Sequence, residues 1–182
     1  MTNTNNLIPA LEISWHKMTP NAVIPTKRAH DAGYDIYTNI EHDVTIYPHE
    51  KYLFPTGLQM CMNRHDYWLM GFDRGSTGSK GLHLQCGVVD NNYRGEIFIC
   101  ICNDNDYPVT FTKSVDKYKK IETKYAVYDE AYYPLSKAIA QLIPIQIPNI
   151  TSVEVNDEDW NELMRTEEGN ERRDGKLGSS GK

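Results

Sequence analysis

Short runs of β-branched and aromatic residues recur along the chain, broken by Gly, Pro, Asn and Asp, and their polarity alternates with the period of strands rather than helices. The runs predict strands at Leu11 to Trp15, Tyr34 to Thr38, Val44 to Tyr47, Lys51 to Met62, Tyr67 to Phe72, Leu82 to Val89, Glu96 to Asn103, Val109 to Thr112 and Ile139 to Ile147. Many short strands at this spacing imply an all-β sandwich or barrel. One helix is expected, over Asp157 to Met164, with Asp157 as cap and Trp160, Leu163 and Met164 on one face. Lys113 to Lys137 is rich in Lys, Tyr and Glu without a clean period, and it interrupts the strand series as a surface insertion. From Glu167 onward, glycines and charged residues replace apolar ones, so this stretch builds no core of its own. The expected organisation is a β domain over 1–166, with the insertion at about 113–137, and a flexible arm over 167–182.

A chain of 182 residues suits one domain with appendages. A net charge of -6 argues against sequence-independent nucleic-acid binding, which needs a basic field. Any anionic ligand must therefore meet positive charge locally. No run approaches the roughly 18 apolar residues that span a bilayer, and Met1 to Asn6 carries no signal pattern. The expectation is a cytoplasmic protein that binds neither membrane nor nucleic acid. Of the four cysteines, Cys61, Cys86, Cys100 and Cys102, none sits in a Cys-x-x-Cys pair, so zinc is not indicated. Strand alternation puts Cys100 and Cys102 on one face, as small buried apolar groups.

Three segments carry candidate chemistry. Gly87-Val88-Val89-Asp90-Asn91-Asn92-Tyr93-Arg94-Gly95-Glu96 has the turn residues of a hairpin between apolar strands. Asp90 is either a turn residue or a carboxylate that holds and polarises water, with Tyr93 placed to cover a flat ligand. Asp73-Arg74-Gly75-Ser76-Thr77-Gly78-Ser79-Lys80-Gly81 offers free backbone N–H groups, hydroxyls and two cations, which suits phosphate or an ordinary solvated loop; it lacks Walker-loop order. Arg172 to Gly181 is a disordered terminus or a flexible strap whose guanidinium groups fold over an anion.

In their order, these segments resemble the signature motifs of the trimeric dUTPase family. Asp31-Ala32-Gly33-Tyr34-Asp35-Ile36 resembles the first motif, Arg74 to Gly81 the second, Gly87 to Glu96 the third, Ala138-Ile139-Ala140-Gln141-Leu142-Ile143 the fourth and Arg172 to Gly181 the fifth. The resemblance implies a distorted jelly roll of the β-clip type, assembled as a homotrimer with shared active sites, which hydrolyses dUTP to dUMP and pyrophosphate with Mg2+. By the same resemblance, Asp90 orients the attacking water and Tyr93 lies under the deoxyribose. Uracil pairs with the main chain of Gly87, Val88 and Val89. Arg74, Gly75 or Ser76, and Gln141 hold phosphates, while Arg172, Leu177, Gly178, Ser179 and Ser180 close from the tail. Asp35 serves catalysis as an outer-shell, water-mediated helper of the metal.

The chain departs from the pattern at four positions. Gly75 replaces a serine, Ala138 a basic residue, with neighbouring Lys137 not counted as a ligand, Leu177 the stacking phenylalanine, and Lys176 a glycine. The insertion's place resembles that of extra segments in some phage dUTPases, which implies a phage or prophage origin and a protein-binding surface at 113–137, the alternative being a decorative loop. Two rivals are a non-catalytic nucleotide- or repressor-binding module of this fold and a dCTP deaminase. The latter lacks its proton carrier, because no carboxylate lies between Ile97 and Asn103.

Overall fold

The computed structural model describes residues 9–85, 87–122 and 129–166, the side chain of Thr166 excepted. Strands β1 (Ile13–Lys17), β2 (Tyr34–Ile36), β3 (Val44–Ile46), β4 (Lys51–Pro55), β5 (Leu58–Met62) and β6 (Tyr67–Phe72) precede a short helix, α1 (Gly75–Gly78). Then come β7 (Leu82–Gln85), β8 (Val88–Val89), β9 (Phe98–Asn103), β10 (Val109–Thr112), β11 (Lys119–Ile121), β12 (Glu130–Pro134), β13 (Ala140–Gln146) and helix α2 (Asp157–Thr166). The chain forms two compact units, Met1–Pro148 and Asn149–Lys182. The first holds every one of these strands and the second holds α2.

Four sheets, ordered β1-β5, β11-β12-β10-β3, β2-β13-β6-β8 and β4-β9-β7, bury one apolar set between them. Alternation explains which residues go in. On β9, Ile99 and Ile101 point into the shared core beside Phe54, Phe111 and Tyr133, the last three rings contacting in series at 4.6 and 5.1 Å. Cys100 and Cys102 are also buried, yet on the opposite face, together with exposed Leu53 and Phe98. Buried polar side chains are satisfied: Thr56 Oγ1 donates to the Ile97 carbonyl at 2.6 Å, and Asn103 Nδ2 donates to those of Ile46 and Tyr107.

Several expected elements come out differently. The single strand predicted for Lys51 to Met62 is two, because Gly57 adopts a left-handed φ of 68° and sends β5 to a different partner from β4. The strand predicted for Leu82 to Val89 also divides. β7 pairs with β9, but β8 crosses to pair with β6, so Gly87 to Glu96 is not a tight hairpin turn; it is an excursion that links two sheets. The helix cap is Asn156 rather than Asp157: Asn156 Oδ1 accepts from the Asp159 N–H and Nδ2 donates to its carboxylate, both at 2.9 Å.

The largest revision concerns 113–137. Lys113, Ser114 and the lysines of β11 are exposed, as expected of an insertion. β12, however, is a core strand, paired parallel to β10 with Ala131 and Tyr133 out of solvent. Its sequence, Glu-Ala-Tyr-Tyr-Pro, alternates over too few residues to announce a buried strand, and its partner lies some twenty residues earlier in a parallel register that short-range pattern does not encode.

Candidate active site

Strand pairing sets the first cluster. β13 lies between β2 and β6, so Gln141 stands opposite both Asp35 and Phe72. Just beyond β6 the chain turns into α1, where Arg74 and Thr77 lock the turn: the Arg74 N–H donates to Thr77 Oγ1 at 3.1 Å and that hydroxyl donates to the Arg74 carbonyl at 3.0 Å. The Arg74 guanidinium thus points back at β2. Its Nε and Nη2 donate to the two carboxylate oxygens of Asp35 at 2.7 and 2.9 Å, a fork-to-fork pair. Nη1 donates to Ser76 Oγ at 3.0 Å and to the Ala138 carbonyl at 3.3 Å.

Close packing explains two motif residues. A Cβ on Gly33 would come within 2.9 Å of Gln141 Oε1 and 3.2 Å of its Cβ, so a side chain there would displace the glutamine. Gln141 Nε2 donates to the Asp73 carbonyl at 2.9 Å, fixing the amide from its other end. At Gly75, by contrast, a Cβ would meet nothing within 4 Å; this glycine is not required by packing.

Asp35, Arg74, Gly75, Ser76 and Gln141 share the wall of one cavity of about 830 Å³. Lys27 and Arg28 line it too, a pair the sequence motifs had not marked. Their signal was a basic dipeptide directly ahead of the first motif. Lys27 Nζ donates to the Asp31 carbonyl at 3.0 Å, and Arg28 pairs with the Asp31 carboxylate at 2.8 Å, holding that carboxyl below its ordinary range. Tyr133 was also unforeseen. Its hydroxyl donates to the Ala138 carbonyl at 2.8 Å, the same oxygen that receives Arg74, so β12 braces the guanidinium from behind. Burial pushes this phenol above its ordinary pKa, with Ser76 and Arg74 pulling the other way. Ala138 contributes its carbonyl and buries its side chain, whereas Lys137 is exposed on a neighbouring cavity.

Gly87, Val88, Val89, Asp90 and Tyr93 do not line this cavity. They form a second surface on the same chain. Gly87 and Gly71 meet backbone to backbone, the Gly71 N–H donating to the Gly87 carbonyl at 2.6 Å. That contact carries β8 across to β6 and brings Val88, Asp90 and Tyr93 to the exterior, Val88 63% and Tyr93 44% exposed. Buried Asn91 pins the turn by donating to the carbonyls of Arg64 and Tyr67, both at 2.7 Å. Tyr93 bends over Gly95, where any Cβ would clash with its ring, and its hydroxyl donates to the Glu96 carbonyl at 2.9 Å. Arg172, Leu177, Gly178, Ser179 and Ser180 lie outside the described residues. One chain therefore presents a cationic cavity and, apart from it, a carboxylate beside an aromatic ring.

The profile of the dUTPase family matches residues 19–117. The deoxyuridine 5'-triphosphate nucleotidohydrolase of Variola virus (isolate Human/India/Ind3/1967) is 32% identical over 128 residues, which covers 69% of this chain and 80% of the viral protein. Among solved structures, a variant of the dUTPase of Staphylococcus bacteriophage 80alpha with dUpNHpp superposes at a TM-score of 0.64 and 24% identity, covering 94% of this chain and 99% of its own. The dUTPase of phage phi11 of S. aureus, solved to visualise its species-specific insert, gives 0.58 at 22% identity and covers 80% and 98%. At these identities the structural likeness is one of fold.

Proposed function

The chain belongs to the dUTPase family and is a dUTP diphosphatase; we propose that it cleaves dUTP to dUMP and pyrophosphate at a site shared between subunits of a homotrimer, with Asp90 orienting the attacking water. One observation carries the shared site: Asp90 and Tyr93 stand on a surface separate from the cavity of Arg74, Ser76 and Gln141. A site that needs both groups is completed by a second copy of the chain. Exposed apolar side chains, Leu53 and Phe98 on one face of the β4-β9-β7 sheet and Val88 on β8, support such an assembly.

In the proposed complex, uracil pairs with the main chain of Gly87, Val88 and Val89, and Tyr93 lies under the deoxyribose, where a 2'-hydroxyl would clash. Arg74, the Gly75 N–H, Ser76 and Gln141 hold the phosphates. Asp35 holds the Arg74 fork in place before substrate arrives, so the charge is preorganised rather than recruited. Asp90 accepts a proton from water as its oxygen bonds to the α-phosphorus, and the bond to the bridging oxygen breaks to release pyrophosphate. The fifth motif assigns Arg172, Ser179 and Ser180 to phosphate and Leu177 and Gly178 to the base. Among the described residues no three His, Cys, Asp or Glu side chains gather into a metal cage, and both oxygens of Asp35 accept from Arg74. This donor set fits Mg2+ held by triphosphate oxygens and water, with Asp35 reaching it only through water. When bound, Mg2+ screens the triphosphate's negative charge.

The same reading includes a cytoplasmic location, which the free thiols Cys61 and Cys102 support, and a protein partner at the exposed part of 113–137. Deamination is disfavoured because the strand that would carry its glutamate is filled here by buried Cys100 and Ile101. The test is subunit mixing. Asp90→Asn and Arg74→Ala chains are each inactive in pyrophosphate release, Asp90→Asn still binding dUpNHpp. After unfolding and joint refolding, part of the activity returns if the site is shared, and none returns if each chain carries a whole site.

A further inference from the structure

Beside the phosphate-facing cavity lies a second one of about 460 Å³, which shares Arg74 and Ser76 with it. Its remaining wall brings Lys80, Lys117 and Lys137 together with Tyr118 and Tyr133, and it contains no carboxylate. Among the described residues these three lysines have no ion-pair partner within 4.0 Å, although neighbouring Lys120 is neutralised by Asp129 at 3.0 Å. Lys80 Nζ sits 5.2 Å from the centre of the Tyr118 ring, whose hydroxyl is 3.3 Å from that of Tyr107, so the aromatic floor is anchored. Cations gathered without counter-charge over an apolar floor repel one another, and a compact, multiply charged anion relieves that repulsion.

We propose that this cavity is a binding site for inorganic pyrophosphate, distinct from the place where the phosphates of dUTP are held. Two observations select this ligand. Three lysines with no ion-pair partner among the described residues match the charge of a pyrophosphate better than that of a monoanion. The wall is also continuous, through Arg74 and Ser76, with the cavity in which the proposed reaction releases pyrophosphate. The source of the ligand rests on the functional reading above; the binding itself does not. Because Arg74 and Ser76 serve both cavities, occupancy of one weakens the other, and the two affinities are linked reciprocally.

Pyrophosphate is titrated calorimetrically into the full chain at constant free Mg2+, with and without saturating dUpNHpp, for the wild type and for the double variant Lys117→Gln, Lys137→Gln. Neither lysine belongs to the proposed catalytic machinery. Binding is expected to persist beside the analogue, to fall roughly tenfold or more in the variant, and to weaken with added salt. Turnover of dUTP without added pyrophosphate stays at the wild-type level, while inhibition by pyrophosphate changes from mixed to competitive. Loss of all pyrophosphate binding beside the analogue, or equal binding by the variant, overturns the site. Failure of the analogue itself to bind counts against the catalytic reading alone; the lysine comparison without analogue then decides the pyrophosphate site.

Discussion

Replacing Gly87 by alanine tests how β8 delivers Asp90 to the surface. The added Cβ would sit 2.9 Å from the Gly71 carbonyl oxygen, about 0.5 Å inside the 3.4 Å at which ordinary contact begins. The Gly71 side does not yield easily: that residue lies within β6 and is paired to Leu142 of β13. β8 is the element that gives, since it has two residues and pairs with β6 alone. Overpacking of this kind costs about 1–3 kcal/mol, and the short, peripheral β8 places the expected loss near the lower end. For a chain of this size that corresponds to a fall in Tm of roughly 2–6 °C. The effect on catalysis is larger, because a displacement of about 1 Å of a positioned group lowers turnover by up to roughly a hundredfold. Differential scanning calorimetry and pyrophosphate release from dUTP read the two effects, with Gly75→Ala as the control whose Cβ meets open space. A Gly87→Ala protein that melts with the wild type and retains full turnover would refute the backbone contact as the device that positions Asp90.

Gly75→Ser, which restores the residue type usual in the family, should fold with stability within about 0.5 kcal/mol of the wild type by thermal melting, since its side chain enters free space. Tyr133→Phe removes a buried hydroxyl but leaves the Ala138 carbonyl with Arg74, so denaturant unfolding should show a loss of about 0.5–1.5 kcal/mol; no loss would refute the brace from this hydroxyl. Asp66 is held below its ordinary pKa of 3.8 first by the Arg64 guanidinium and also by Gln146. Its contribution is therefore full above about pH 3.8 and disappears as the pH falls through the lower folded value, so the stability gap between wild type and Asp66→Asn should narrow on acidification below that point. A gap that stays constant with pH would place the effect outside the ion pair.

Local chemistry in the chain determined a good deal. Val109 to Thr112 and Tyr67 to Phe72 read as strands with the bounds they adopt, because alternation and the flanking Asp, Pro and Gly act over a few residues. The motif order brought Asp35, Arg74, Ser76 and Gln141 to notice before any fold was known. Tertiary structure alone decided how they meet: Arg74 finds Asp35 across 39 residues because β13 pairs with β2 and β6 at once. It alone revealed the brace from Tyr133, since a parallel partner distant in sequence leaves no local pattern. It also divided the apparent hairpin at Gly87, where the constraint is a second backbone approaching from β6. Propensity and polarity are properties of neighbours along the chain and are legible there, whereas contact between remote backbones exists only once the sheets have formed.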